Sequence, residues 1–474
     1  MRAFLILAVV LLSACAGQRG ASGRDPMGRV TAGLRSELTV RGRPAPETFS
    51  LARRMAHYKV PGVSIAVVEG GRIAWARGFG VREAGTADSV TSTTLFQAAS
   101  ISKPVAATGM LRMVDEGKLA LDTPVNEYLV SWKLPENQFT AREKVTLRRL
   151  ASHSAGLTVH GFAGYAAGER VPTAPEILDG NGPSNSQPVR VNAVPGSMWR
   201  YSGGGTTIEQ LVMADVAKEP FPALMRRLVL EPAGMANSTF EQPLPAALRG
   251  AAASGHGEEG EMIPGRWHVY PEMAAAGLWT TPSDLLTWAM EIAAARGGRS
   301  ARILSRPTAT AMLTPQKGAS GLGPTLGGRG DGFFFSHGGS NAGFRAQLIY
   351  FPETGQGAAV MTNGAGGDRL AREILLAISA AYGWPGYGEI RPLAMSPAAL
   401  DGHAGSYSIT EPYPITLTLV REEGRLFKQA APLLGAREEV VFTAPGLARG
   451  VHSGIEYTFH PDRIELLGLA LKKQ

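Results

Sequence analysis

The chain has 474 residues, enough for one large domain and a smaller companion, since single cores stop growing near roughly 250 to 300 residues. Hydrophobic residues at 44% and charged residues at 18% exclude the polar, highly charged composition of a disordered chain. The net charge of +7 is spread along the sequence without a basic run, which argues against a nucleic-acid partner.

At the start, Met1-Arg2 precedes an apolar stretch from Ala3 to Leu12 and then Leu12-Ser13-Ala14-Cys15. These are the parts of a secretory signal, and the apolar run is shorter than the roughly 20 residues of a spanning helix. The last four residues resemble the bacterial lipoprotein box, whose cysteine is lipidated. Cys15 is the only cysteine, so no internal disulfide or cysteine zinc site is available to it. We therefore expect a lipoprotein signal over 1–15, a membrane anchor at Cys15 and an envelope location facing the periplasm. Secretion after a plain cut is the alternative. The Gly-, Arg- and Ser-rich residues 16–45 read as a tether.

From there, Pro46 to Tyr58 reads as a helix. Val63–Val68 and Arg72–Gly78 read as a hairpin around Glu69-Gly70-Gly71. The spacing of Val105, Met110, Met113 and Val114 predicts a helix from Ser100 to Glu116. Thr146–Ser152, Thr207–Ala217, Thr281–Ala295 and Asp368–Tyr382 read as further helices. The Gly-, Pro-, Asn- and Ser-dense stretch Thr158–Trp199 is too long for an ordinary connection and reads as a functional rim or lid. Phe333–Phe335, Arg345–Phe351 and Gly357–Thr362 read as consecutive strands. After Arg391 come only short strand-like runs, at 415–420, 425–429, 439–443, 455–459 and 463–469. The expected fold is α/β (α+β): an antiparallel sheet flanked by helices, with a large helical insertion, over 46–390. A small all-β, barrel-like module follows over 391–474.

Ser100-Ile101-Ser102-Lys103 is the only S-x-x-K in the chain. On a helix, residues three apart share a face, so the Lys103 amine can approach the Ser100 hydroxyl. Pro104 fits only the first turn of a helix, which puts Ser100 near its start, where free amides and the dipole favour negative charge. An activated serine and a tetrahedral oxyanion need such a setting.

Two further motifs extend the pattern. Pro195-Gly196-Ser197-Met198-Trp199-Arg200-Tyr201-Ser202-Gly203-Gly204-Gly205 presents a tyrosine at a turn, and His337-Gly338-Gly339 follows a strand. With the S-x-x-K, in this order, they resemble the serine β-lactamase and penicillin-binding protein superfamily. The branch is the one holding class C β-lactamases, D,D-carboxypeptidases, D-aminopeptidases and family VIII esterases. The segments Val145–Leu157 and Glu231–Met235 match it too. The resemblance implies Ser100 as nucleophile, with Lys103 and Tyr201 sharing proton transfer, and either is open as the base that activates Ser100. It implies an oxyanion hole from the backbone N–H groups of Ser100 and Ser340, and two glycines, Gly338 and Gly339, that let a substrate backbone approach.

Two positions depart from the lactamase pattern. His337 stands where those enzymes carry lysine, and an imidazole titrating near neutrality offers a hydrogen bond to Tyr201 or to a ligand instead of a permanent cation. Gly203 stands where class C enzymes often carry asparagine, which removes an amide able to hold the acyl side chain. The expectation is therefore a serine hydrolase acting through an acyl-enzyme on amide or ester bonds, of D-amino-acid peptides or small esters. A β-lactamase or D,D-carboxypeptidase, and a non-catalytic envelope binding protein of the same fold, are the alternatives. No cofactor is expected. His153 and His160, seven apart, do not have metal-ligand spacing, and no G-x-S-x-G elbow occurs.

Overall fold

A computed structural model describes residues 25–410, 414–432, 434–466 and 469–474. Cys15, with the signal and the first part of the expected tether, lies outside the described residues. Among those described, no helix is long and apolar enough to cross a membrane.

The stretch expected as a tether is docked from its first described turn. Helix α1 (Pro26–Ala32) is capped by Asp25 and carries Val30, and Val30 and Leu34 are fully buried in the cluster formed with Ile374 and Ile378. Strand β1 (Thr39–Val40) pairs in parallel with a late segment, Glu389–Ile390. Helix α2 (Leu51–His57) starts later than Pro46 because the Ser50 side chain caps it, accepting from Arg53 N–H.

The central hairpin is β2 (Gly62–Glu69) and β3 (Arg72–Gly80), turned by Gly70 and Gly71 at φ 57° and 72°. Both values lie in the left-handed region that a two-residue hairpin turn demands. A two-stranded ribbon joins β4 (Phe96–Gln97) to β5 (Trp279–Thr280). The sheet is completed by β6 (Thr325–Gly327), β7 (Phe334–Asn341), β8 (Phe344–Phe351) and β9 (Gln356–Thr362). Its order is β3-β2-β9-β8-β7-β6, antiparallel throughout.

Period-two alternation divides β2 between two cores. Ala66 and Val68 join one cluster with Leu285, Trp288 and Ile292 of the helix Pro282–Arg296. Val63, Ile65 and Val67 join the other, with Leu370, Ile374 and Ile378 of the helix Gly367–Tyr382. A strand covered on both faces is apolar along nearly its whole length. The helical insertion, between β3 and β6, carries α3 (Ser102–Asp115) and the helix Gly203–Ala217.

Beyond β10 (Glu389–Ile390) a closed eight-stranded barrel runs from Gly405–Ile409 to Leu469–Lys473, each strand bonded to the next and the last to the first. Leu417, Leu419, Leu426, Val440, Tyr457, Ile464 and Leu471 fill it. Inside lies a buried ion pair, Lys428 Nζ to Glu438 Oε1 at 3.4 Å, and Glu438 also accepts from the N–H groups of His452 and Ser453. Val441 and Val451 of the barrel pack with Leu38, Val40, Leu376 and Ile390, sealing it to the larger domain.

Candidate active site

Ser100 lies in a single 3-10 turn, Ala99–Ile101, that leads into α3. The sequence predicts a regular helix from Ser100 itself. Instead Ala99 enters the turn with left-handed backbone, φ 49°, uncommon for a residue with a side chain. Ser102, which no motif marks out, fastens the turn: its hydroxyl donates to Ala99 O at 2.5 Å and accepts from Leu278 N–H at 3.0 Å. Pro104 is the third residue of α3, where a missing N–H costs no helical bond.

The Lys103 amine donates to Ser100 Oγ at 2.9 Å and to Ala275 O at 2.8 Å. It is only 4% exposed, and it stands 4.9 Å from the centre of the Tyr201 ring. Tyr201 comes just before Ser202, the cap of the helix Gly203–Ala217, whose hydroxyl accepts from Gly205 N–H and donates to Thr158 O. The S-x-x-K and the tyrosine motif therefore converge, although a hundred residues separate them in sequence.

Three histidines surround Tyr201. His153 is 4.3 Å from it, ring centre to ring centre, His160 4.8 Å and His337 6.1 Å. His153 is buried with left-handed backbone, φ 55°, and its Nδ1 accepts from Ser202 N–H, so the neutral ring carries its proton on Nε2. Burial, and then the charge of Lys103, holds its pKa well below the usual value. The same two causes lower that of His160. Burial also pushes His337 down to about 4, with Lys103 adding to the effect. This corrects the expectation that His337 titrates near neutrality. Its Nδ1 donates to Gly338 O at 2.6 Å rather than to Tyr201. Nothing in the spacing of His153 and His160 signals that both contact Tyr201; left-handed backbone at His153 and at Val159 accompanies that placement. Among the described residues no cluster suited to a metal ion occurs.

His337, Gly338, Gly339 and Ser340 lie on β7, in unbroken register with β8. Pairing with β6 ends at Ser336, so this half of β7 keeps one edge open. The glycines serve the protein's own packing. A Cβ on Gly339 would stand 2.1 Å from Ala98 O, against the nucleophile's turn, and one on Gly338 would meet Gln347 Nε2 at 3.0 Å.

Two buried glutamates back this region. Glu272 immediately precedes the helix Met273–Ala276, whose Ala275 O accepts from Lys103, and Glu209 belongs to the helix Gly203–Ala217. Burial pushes each up to about 8, and among the described residues Glu209 Oε1 and both carboxyl oxygens of Glu272 are buried without a hydrogen-bond partner. Left-handed backbone at residues with side chains also gathers here: Ala99, His153 and Val159 are among seven such residues described. Strain of this kind persists where surrounding structure enforces it, commonly at functional sites.

A sequence model of the Beta-lactamase family matches residues 50–382, and the chain belongs to that family. Its fold, with the added barrel, is that of the β-lactamase and penicillin-binding protein group. Esterase EstB of Burkholderia gladioli is 26% identical over 255 residues, 48% of this chain. That match spans 64% of EstB, less than two thirds of its length. Penicillin-binding protein 4 of Amycolatopsis lactamdurans is 26% identical over 336 residues, 67% of this chain and 84% of its own. The structure of the octameric penicillin-binding protein homologue from Pyrococcus abyssi superposes with a TM-score of 0.58 at 22% identity. It covers 89% of this chain and 98% of that one, a likeness of fold. The family and these relatives support a hydrolase.

Proposed function

We propose that the protein is a serine hydrolase that works through an acyl-enzyme on Ser100, on amide or ester bonds of D-amino-acid peptides or small esters. The observation that carries this reading is the Lys103 amine, held 2.9 Å from Ser100 Oγ and 4.9 Å from the Tyr201 ring centre. Ser100 Oγ attacks the carbonyl carbon while its proton passes to the Lys103–Tyr201 pair. The N–H groups of Ser100 and Ser340 take the oxyanion. Collapse expels the leaving group, which Tyr201 protonates. A water activated by Tyr201 then releases the acyl group and restores the Ser100 hydroxyl.

Specificity follows from what surrounds Tyr201. With His337 neutral and Lys103 engaged by Ser100 and Ala275, a free permanent cation for a substrate carboxylate is missing from this set of groups. That favours esters and amides over β-lactams. The likeness to EstB lends weight to the ester half of the proposal.

The test compares a short-chain p-nitrophenyl ester, a D-alanyl anilide and a chromogenic cephalosporin on one sample, with fluorophosphonate labelling alongside. The expected result is labelling at Ser100, with the cephalosporin the poorest substrate. Faster turnover of the cephalosporin would overturn the specificity. Absence of labelling, together with Ser100→Ala leaving every measured hydrolysis unchanged, would overturn the Ser100 hydrolase, and absence of hydrolysis in the parent as well would leave the non-catalytic binder. We also propose lipidation of Cys15 and attachment to the envelope membrane. Metabolic labelling with a radioactive fatty acid, lost in Cys15→Ser, is the expected outcome.

A further inference from the structure

The chain from Thr158 to Tyr165 roofs the site and is bonded along both sides. Towards the helix Gly203–Ala217, Ser202 Oγ donates to Thr158 O at 2.7 Å, Gly204 N–H to Val159 O at 3.1 Å and Gly203 N–H to His160 O at 3.0 Å. On the other side, Tyr270 Oη donates to Ala163 O at 3.1 Å, Asn185 Nδ2 to Gly164 O at 2.8 Å and Tyr165 N–H to Val269 O at 2.8 Å. These bonds hold Val159, a β-branched residue, in left-handed backbone at φ 61°. The roof is a fixed part of the fold.

The roof fills the room that a side chain at position 203 would need. A Cβ on Gly203 would lie 3.1 Å from His160 O and 3.1 Å from Phe162 Cε2. An amide at 203 is thus replaced by the roof, and the roof brings its own polar side chain. His160 is exposed on the rim, its ring centre 4.8 Å from that of Tyr201. Among the described residues neither of its ring nitrogens has a hydrogen-bond partner. Partial burial of the ring, and then the charge of Lys103, lower its pKa from the usual value, which favours the neutral imidazole with one donor and one acceptor. The other titratable groups facing Tyr201 are His153 and His337, both neutral, and Lys103.

We infer that His160 is a specificity-determining residue that hydrogen-bonds an uncharged polar group, such as an amide, on the acyl side of the scissile bond. The inference rests on the reading of Ser100 as nucleophile. Lys103 Nζ and the His160 ring both stand within 5 Å of the Tyr201 ring centre, at 4.9 Å and 4.8 Å, so the imidazole borders the group that shares proton transfer with Lys103. That placement suits a substituent a few bonds from the carbonyl. Neutral imidazole prefers an amide to a carboxylate, in keeping with the charge of the whole site.

The experiment measures kcat/KM of the full chain and of His160→Phe and His160→Gln on two esters with one leaving group, p-nitrophenyl butyrate and the p-nitrophenyl ester of N-acetylalanine. His160→Phe is expected to cost the amide-bearing ester about tenfold more than the butyrate, the worth of one net hydrogen bond. His160→Gln recovers most of that difference. Equal losses on both esters, or glutamine no better than phenylalanine, would overturn the inference. So would a parent protein that turns over neither ester. In that case fluorophosphonate labelling of Ser100 leaves the hydrolase reading standing, and absence of labelling removes it too.

Discussion

Gly339 packs directly on the nucleophile's turn, with a built Cβ only 2.1 Å from the carbonyl oxygen of Ala98. Backbone stands against backbone there, so a methyl group cannot be absorbed by a swinging side chain. Gly339→Ala is expected to move the Ser100 turn away from β7 and cost about a hundredfold in kcat/KM, as small misplacements of reacting groups do. Gly338→Ala, facing the flexible end of Gln347, is expected to cost far less. Steady-state kinetics with thermal melts of both variants measure the contrast.

The Lys103 amine bridges Ser100 Oγ and Ala275 O. Lys103→Ala removes one member of the Lys103–Tyr201 pair proposed to take the Ser100 proton but leaves the serine in place. Fluorophosphonate labelling is expected to slow by about 10²- to 10⁴-fold, the usual share of a positioned acid or base. Ser100→Ala should take no label. Labelling of Lys103→Ala at the parent rate would show that Ser100 draws its reactivity from elsewhere.

Glu209 and Glu272 give stability a pH dependence of definite sign. Their folded values, each about 8, lie above the 4.5 of an unperturbed glutamate. Between those limits the folded chain keeps protons that the unfolded chain has released. Their contribution is therefore full below about pH 4.5 and falls as pH rises towards 8. Glu272→Gln is expected to melt higher than the parent at pH 8.5, with the gap closing by pH 4.5. His337, held at about 4 against 6.5, adds stability that is present above 6.5 and lost as pH falls through 4. Melts across that range would show a gap that does not vary with pH if the Glu272 account is wrong.

In the barrel, Lys428 and Glu438 are buried together. Lys428→Met leaves a buried carboxylate without its cation, and a loss of about 3–5 kcal/mol is expected. Adding Glu438→Leu should return part of it, though His452 and Ser453 then lose the acceptor of their N–H groups. Urea titrations of the single and double variants measure the coupling.

Much of this was legible from local chemistry. The three-residue spacing of Ser100 and Lys103, the glycine turn at Gly70-Gly71 and the apolar β2 each depend on neighbours in sequence. What depended on distant partners was hidden. Ser102 reads as filler until Leu278 arrives to use its hydroxyl. His153 and His160 carry no local signal, because nothing in their spacing discloses a shared contact with Tyr201. Three barrel strands, Gly405–Ile409, Leu447–Gly450 and Leu469–Lys473, are short and poor in apolar alternation; the first and last of them are joined only by closure of the barrel, and Leu447–Gly450 is held by the strands before and after it. The first described helix was masked by Gly- and Arg-rich composition, since its burial rests largely on Val30 and on Leu34 beyond its end.

That helix separates the border of homology from the border of stability. The family match begins at residue 50, yet Val30 and Leu34 cover Ile374 and Ile378, and Leu38 and Val40 sit in the seam with the barrel. A chain trimmed to the homologous span would expose apolar surface in two places at once, on the back of the sheet domain and where the barrel docks. The matched family span is shorter than the unit that folds.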